Sequence, residues 1–190
     1  MASFDQFLDS LDPDNNIRGN QFEKIFVKWF LENEPTWSSQ IDKIWLYDDY
    51  PERWGPDTGV DLIFSHKNSE IWAVQAKCYN PDYYIKKADI DSFISDSDRP
   101  EIHKRLLIAT TDLIGPKAKE TLDGPGNVIK FLYSDFLDAN FEYEDLIDRN
   151  INTTCALSWC KNRCPPSQIQ SSVIHPVCDD CTDLVHTGSS

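Results

Sequence analysis

The sequence predicts an α/β fold, a mixed β-sheet flanked by helices, and three observations carry that expectation. Residues 59–65 (GVDLIFS) and 71–79 (IWAVQAKCY) are short apolar runs separated by the polar turn HKNSE, the composition and loop length of a β-hairpin. Residues 105–109 (RLLIA) form an apolar run suited to a strand buried inside a sheet. Between and around these runs lie segments of helical periodicity, so strands and helices alternate as a layered fold requires.

Each element follows in order. Residues 4–11 give a short helix, and DPDNN after it reads as a turn. From residue 19 to 32, Phe22, Ile25, Phe26, Trp29 and Phe30 recur at helical spacing. That pattern leaves Glu23, Lys24 and Lys28 toward the solvent edge, and Pro35 ends the helix. Residues 43–47 (KIWLY) are a strand, followed by the loop DDYPERWGPDTG and the hairpin. Residues 88–94 form a short helix before the strand 105–109. Residues 116–122 form another, and DGPGN then leads to a last strand, 128–133. Neither an internal repeat, a phosphate-binding P-loop nor a dinucleotide glycine pattern is present.

Composition limits the functional classes. No run approaches the roughly 18 apolar residues of a membrane helix, and the acidic, amphipathic N-terminus MASFDQFLDSLDPDNN lacks the features of a secretion signal. A cytoplasmic protein is therefore expected, with no membrane partner. The net charge of −14 argues against a simple electrostatic DNA binder, whose affinity rests on Lys and Arg. It is compatible with a site that gathers carboxylates around a cation, the cation then drawing in a phosphate. Cys78 is alone in the first 150 residues, while Cys155, Cys160, Cys164, Cys178 and Cys181 crowd the last 40. The body thus reads as a reduced intracellular domain.

One constellation carries chemistry. Asp61 lies within an apolar run, where burial of an unpaired carboxylate is costly. Gln75 and Lys77 stand two apart on the next strand and share a face. The hairpin brings Asp61 beside them, so a carboxylate, an amide carbonyl and an ammonium converge at one end of the sheet. Asp61 and the Gln75 carbonyl are hard oxygen ligands suited to Mg²⁺, with Mn²⁺ able to substitute. Lys77 would orient or deprotonate an attacking water, or stabilise negative charge developing on phosphorus. Because Gln75 is neutral the site calls for another acid, and Glu23 is the candidate. Asp57, in a Pro-Asp-Thr-Gly segment, reads as a turn residue, and Trp54 as a cover for the core edge. Lys86 and Lys87 are candidate phosphate contacts.

The spacing G-x-D-L-I followed by Q-x-K resembles the Mrr-like branch of the PD-(D/E)xK nucleases, in which Gln often takes the acidic position. Residues 18–23 (RGNQFE) are similar to the opening helix of that branch. Residues 54–62 (WGPDTGVDL) and 73–77 (AVQAK) resemble the N-terminal nuclease domain of type ISP restriction-modification enzymes and helicase-linked relatives, and 84–89 and 105–111 are also similar. The resemblance spans residues 17–137. It implies a restriction-endonuclease-like fold, with Glu23, Asp61 and Gln75 as metal ligands and Lys77 as the catalytic lysine. The implied activity is Mg²⁺-dependent DNA cleavage in a restriction or defence system. In those relatives a motor and often a methyltransferase follow the nuclease. Nothing after residue 149 resembles either, so a helicase, translocase or methyltransferase component is expected, if at all, on another chain, and double-strand cleavage would call for two domains together, as in a dimer, or for two sequential events. The alternatives are a non-catalytic DNA-binding or assembly module of the same fold, or a zinc-stabilised interaction protein.

The latter rests on the tail. The expected domain is residues 1–149; residues 150–190 are rich in Cys, Ser and Pro and are expected to be disordered or outside the domain, as a frameshift out of a longer coding region would also make them. Within that tail, Cys160, Cys164, Cys178 and Cys181 have nearly zinc-like spacing, which makes Zn²⁺ the minor expectation there.

Overall fold

The computed structural model describes residues 2–56, 58–124, 127–144 and 147, and the backbone of 169–170 and 177–178. The chain divides into two compact units, Pro13–Phe141 and a second made of Met1–Asp12 with Glu142–Ser190. In the second unit, α1 (Phe4–Ser10) is held by a reciprocal cap: Gln6 N donates to Ser3 Oγ at 3.2 Å and Ser3 N to Gln6 Oε1 at 2.9 Å. Phe4 and Phe7 of α1 pack on Tyr143, with ring centres 5.3 and 6.2 Å apart. β6 (Ile169–Gln170) and β7 (Val177–Cys178) pair antiparallel.

The larger unit opens with one helical rod whose hydrogen bonding changes twice. α2 (Asn15–Asn20) starts four residues before the periodicity suggested, because Asp14 caps it: its Oδ1 accepts from Asn16 N at 2.9 Å and Ile17 N at 3.2 Å. A π-helical turn, Gln21–Phe26, follows, and α3 (Val27–Asn33) completes the rod. Asp14→Ala is expected to cost about 1 kcal/mol of stability, read as a lower urea midpoint with unchanged slope. Pro35 does more than end this rod. It opens α4 (Pro35–Ser38) from the first-turn position that suits proline, with Glu34 as cap accepting from Trp37 N at 3.0 Å.

Five strands form the sheet in sequence order: β1 (Ile41–Leu46), β2 (Leu62–His66), β3 (Ile71–Lys77), β4 (Lys104–Ala109) and β5 (Val128–Phe131). β1–β2 and β2–β3 are antiparallel, the latter being the expected hairpin; β3–β4 and β4–β5 are parallel. Each parallel step is bridged by a helix, α5 (Lys87–Asp96) and then α6 (Pro116–Asp123), as parallel neighbours require. The expected last strand stops at Phe131, and its end turns instead into α7 (Tyr133–Asp138). The sheet is therefore mixed and flanked by helices, with β4 enclosed between two strands and buried from Leu106 to Ala109. This is the restriction-endonuclease-like architecture.

Two apolar layers hold it. On one face Ile63, Ala73 and Leu107 pack with Ile90 and Phe93 of α5 and Ala118 and Leu122 of α6. The other layer is aromatic: Phe26 and Phe30 from the rod meet Phe136 of α7 at 5.6 and 5.1 Å, and Phe131 lies 4.7 Å from Phe136. Trp54 stacks edge-on against Tyr47 at 5.2 Å with the Arg99 guanidinium 4.8 Å from its ring, so it covers the core edge. Among the described residues no helix is long and apolar enough to cross a membrane.

Candidate active site

The hairpin brings together the residues that the sequence singled out. β2 begins at Leu62, not at Gly59, because Asp61 leaves the regular ladder. Its backbone N–H donates to Val74 O at 2.9 Å, while its carboxylate Oδ2 accepts from Ala76 N at 2.8 Å. A side chain thus takes the place of a ladder carbonyl, and it fixes the Asp61 carboxylate against the strand segment that bears Gln75 and Lys77. The Asp61 carbonyl in turn accepts from Tyr47 N at 2.9 Å.

Gln75 is only 1% exposed. Its amide donates through Nε2 to Gly59 O at 3.0 Å, which fixes its orientation and leaves Oε1 buried with no hydrogen-bond donor. Gly59 is required where it stands. A Cβ there would lie 2.4 Å from Phe93 N and 2.6 Å from Ser92 Oγ, and the Gly59 N–H donates to Asp96 Oδ2 at 2.9 Å. Close approach to α5 therefore sets the carbonyl that holds Gln75. Thr58 Oγ1 accepts from Val60 N at 3.3 Å, a local turn consistent with the reading of this segment. Asp57 lies outside the described residues.

Glu23 departs from its expected place on the solvent edge. The π-helical turn carries it inward, where its Oε1 is 3.8 Å from Lys77 Nζ, the two side chains being only 22% and 27% exposed. π turns recur at functional positions because one extra residue in the turn re-aims the side chains it carries. Burial raises the Glu23 carboxyl to about 7, the negative charge of Asp61 adding to the rise, while Lys77 and Lys24 oppose it. Burial also raises Asp61, against Lys77, the Ala76 N–H and Lys24. Two carboxylates that repel one another beside one ammonium leave the cluster short of positive charge.

This has a measurable consequence. A carboxyl that titrates higher folded than unfolded binds more protons in the native state, so stability falls as pH rises from about 4.5 through 7. Metal-free Glu23→Gln protein is expected to lose the Glu23 share of that slope, Asp61 keeping its own, and to exceed the wild type at pH 8 by on the order of 2–3 kcal/mol. Urea unfolding at pH 5 and pH 8 checks it; equal slopes for both proteins contradict it.

The candidate lysines of the next loop separate. Lys87 is ion-paired with Asp91 one helical turn on, whereas the Lys86 ammonium lies 5.5 Å from the centre of the Tyr83 ring. Among the described residues no group of three or more His, Cys, Asp or Glu is arranged to hold a metal; the amide of Gln75 is what would complete a set here. Cys78 is a half-buried free thiol. Cys160, Cys164 and Cys181, with the side chain of Cys178, lie outside the described residues.

A five-stranded mixed sheet with a carboxylate, a buried amide and a lysine at the same end of its hairpin defines a nuclease fold of the restriction type. The chain belongs to the restriction-endonuclease family Mrr_cat_2, which matches residues 32–153. The matched span holds Asp61, Gln75 and Lys77 but not Glu23. Among solved structures, the chain is similar to the ATP-dependent type ISP restriction-modification enzyme LlaBIII bound to DNA. That match has a TM-score of 0.60 and 27% identity over 77% of this chain, and spans 9% of the other. It also matches the MspJI restriction endonuclease in complex with a 27-mer oligonucleotide, with TM-score 0.41, 16% identity, 68% of this chain and 30% of that one. No curated protein matches significantly.

Proposed function

We propose that this domain hydrolyses DNA phosphodiester bonds with Mg²⁺, as the nuclease component of a restriction system. The observation that carries this reading is the buried Gln75 Oε1, which has no donor and belongs to the residue just before the Asp61-bonded Ala76 amide, two residues from Lys77. A buried acceptor left unpaired is costly, by about 1–3 kcal/mol, and a cation would satisfy it. Hard oxygens from two carboxylates and one amide suit Mg²⁺ or Mn²⁺ better than a softer metal. Asp61, Gln75 and Glu23 would hold it. When bound, such a cation polarises a phosphoryl oxygen and favours ionisation of water.

The chain's own groups do the rest. Asp61, fixed by the Ala76 N–H, supplies negative charge at a defined point. Gln75 contributes an oxygen without adding charge, and Glu23 offsets part of the cation's charge. Lys77 orients the attacking water, or stabilises the charge that develops on the phosphate as the P–O bond breaks. The Glu23–Lys77 contact keeps that ammonium at the site until substrate arrives.

A net charge of −14 leaves little general attraction for DNA. LlaBIII is described as ATP-dependent, and the chain spans only 9% of it. We therefore infer that a translocase or helicase, or a methyltransferase component, on another chain brings the domain to DNA, and that double-strand cleavage takes two copies together or two successive cuts. The nuclease unit ends near Arg149, where composition changes. The test is supercoiled plasmid at low salt with Mg²⁺, Mn²⁺ or EDTA. Metal-dependent nicking is expected; folded protein that binds DNA but never nicks it would make this a non-catalytic module.

A further inference from the structure

The chain leaving β3 is held unusually firmly for a loop. Thr110 and Thr111, both fully buried at the end of β4, clamp it from beneath. Thr110 Oγ1 donates to Tyr79 O at 2.6 Å and accepts from Tyr79 N at 2.7 Å. The Thr111 hydroxyl lies 2.9 and 3.0 Å from the carbonyl oxygens of Pro81 and Tyr83. Further on, Ile85 N donates to Leu113 O at 2.8 Å, and Gly115 N to Ile85 O at 2.9 Å. Asp89 closes the segment, its Oδ2 accepting from Tyr83 Oη at 2.9 Å and Lys86 N at 2.7 Å.

On this frame the side chains form a row that starts at the site. Tyr79 follows Lys77 by two residues. Its ring stacks on Tyr83 at 4.5 Å and 25°, and the Lys86 ammonium lies over the Tyr83 ring. Lys86 is exposed, and among the described residues no carboxylate forms an ion pair with its ammonium, Asp89 bonding only its backbone N–H. Lys87 is already neutralised by Asp91.

We propose that Lys86 is a phosphate-positioning residue, gripping the DNA backbone beside the phosphate that is cut, with the Tyr79–Tyr83 stack and the threonine clamp fixing its reach. The inference rests on the reading above that DNA meets the Lys77 end of β3. In so acidic a chain each local cation that neutralises a phosphate and releases a counterion matters. A lysine on a preordered loop loses less freedom on binding than one on a mobile loop. The neighbouring Lys87, one residue away, serves as the internal control.

The experiment measures binding of a fluorescent duplex of arbitrary sequence to the full chain, without metal, over a series of salt concentrations. Lys86→Ala is expected to weaken binding about three- to tenfold near 0.1 M salt and to lower the slope of log K against log salt by about one. Lys86→Arg should keep the slope, and Lys87→Ala should match the wild type. A wild-type slope in Lys86→Ala, an equal loss in Lys87→Ala, or a wild type that binds no duplex overturns the inference. A Lys86-dependent slope in a protein that never nicks plasmid supports it while removing the nuclease reading, so the two failures are distinct.

Discussion

Asp61→Asn and Lys77→Met should each lower plasmid nicking by about 10³-fold or more while leaving the fold intact, the scale lost when one preorganised charge is removed from a polar site. The choice of replacement follows from the geometry. Asp61→Ala would remove two things together, the charge and the acceptor for Ala76 N. An orphaned N–H inside the sheet costs about 1–3 kcal/mol, so lost activity in the alanine variant would not separate chemistry from damage. Asparagine keeps an oxygen for the Ala76 amide and deletes the charge. Methionine likewise keeps the length and apolar stem of Lys77 and removes the ammonium beside Glu23. Circular dichroism of the wild type and both variants should coincide, whereas Asp61→Asn, which removes a carboxylate that burial disfavours, should melt higher and Lys77→Met, which removes the compensating ammonium, lower. Nicking by Lys77→Met within tenfold of the wild type would strike Lys77 from the catalytic set.

Gly59→Ala, one methyl group, is expected to be among the most damaging substitutions outside the aromatic layer. The atoms its Cβ would meet include Phe93 N at 2.4 Å and the Ser92 carbonyl carbon at 2.7 Å, backbone atoms that no rotamer change can move. Either α5 shifts or residues 58–60 do, and both are tied: Gly59 N–H to Asp96, Gly59 O to Gln75. Overpacking of this kind costs on the order of 1–3 kcal/mol, and more when backbone must move, so the melting temperature should fall by about 2–12 °C. Ser92→Ala should not rescue it, since the backbone collision remains. The second effect is on chemistry: with its carbonyl displaced, Gly59 no longer fixes the Gln75 amide, and Mg²⁺ should raise the melting temperature less than in the wild type. A Gly59→Ala protein as stable as the wild type would contradict the close approach itself.

Much of this was legible in the sequence because the relevant periods are short. Gln75 and Lys77 share a face by strand parity, the HKNSE turn sets the hairpin, and the apolar run at 105–109 has the composition of an interior strand; all three are local signals. What stayed hidden depends on contacts between segments far apart in the chain. Nothing in QFEKIF announces a π turn, and the period of an ordinary helix puts Glu23 on the solvent side. The bond from Ala76 N to the Asp61 carboxylate replaces a ladder bond that strand alternation would have assumed. Pro35 carries two meanings, end of one helix and start of the next, and the local pattern shows only the first. The sequence pattern assigns Thr110 and Thr111 no role, and their hold on residues 79–83 appears only once the parallel pairing of β3 and β4 sets those segments side by side.

The π turn at Gln21–Phe26 also sets a limit on how this gene can drift. Each residue of an α-helix advances about 100° around its axis, so a turn holding one residue more than its neighbours acts as a phase shifter between the capped start of the rod and its aromatic end. Loss of a single residue there would leave a more regular helix of better intrinsic geometry, with Phe26 and Phe30 still anchored. The Glu23 side would then swing through a quarter of a circle or more, out of reach of Lys77. Selection for a smoother helix and selection for the carboxylate pull in opposite directions at this one turn, and reading-frame-preserving deletions here should be purged for the loss of the carboxylate even where the aromatic packing survives them.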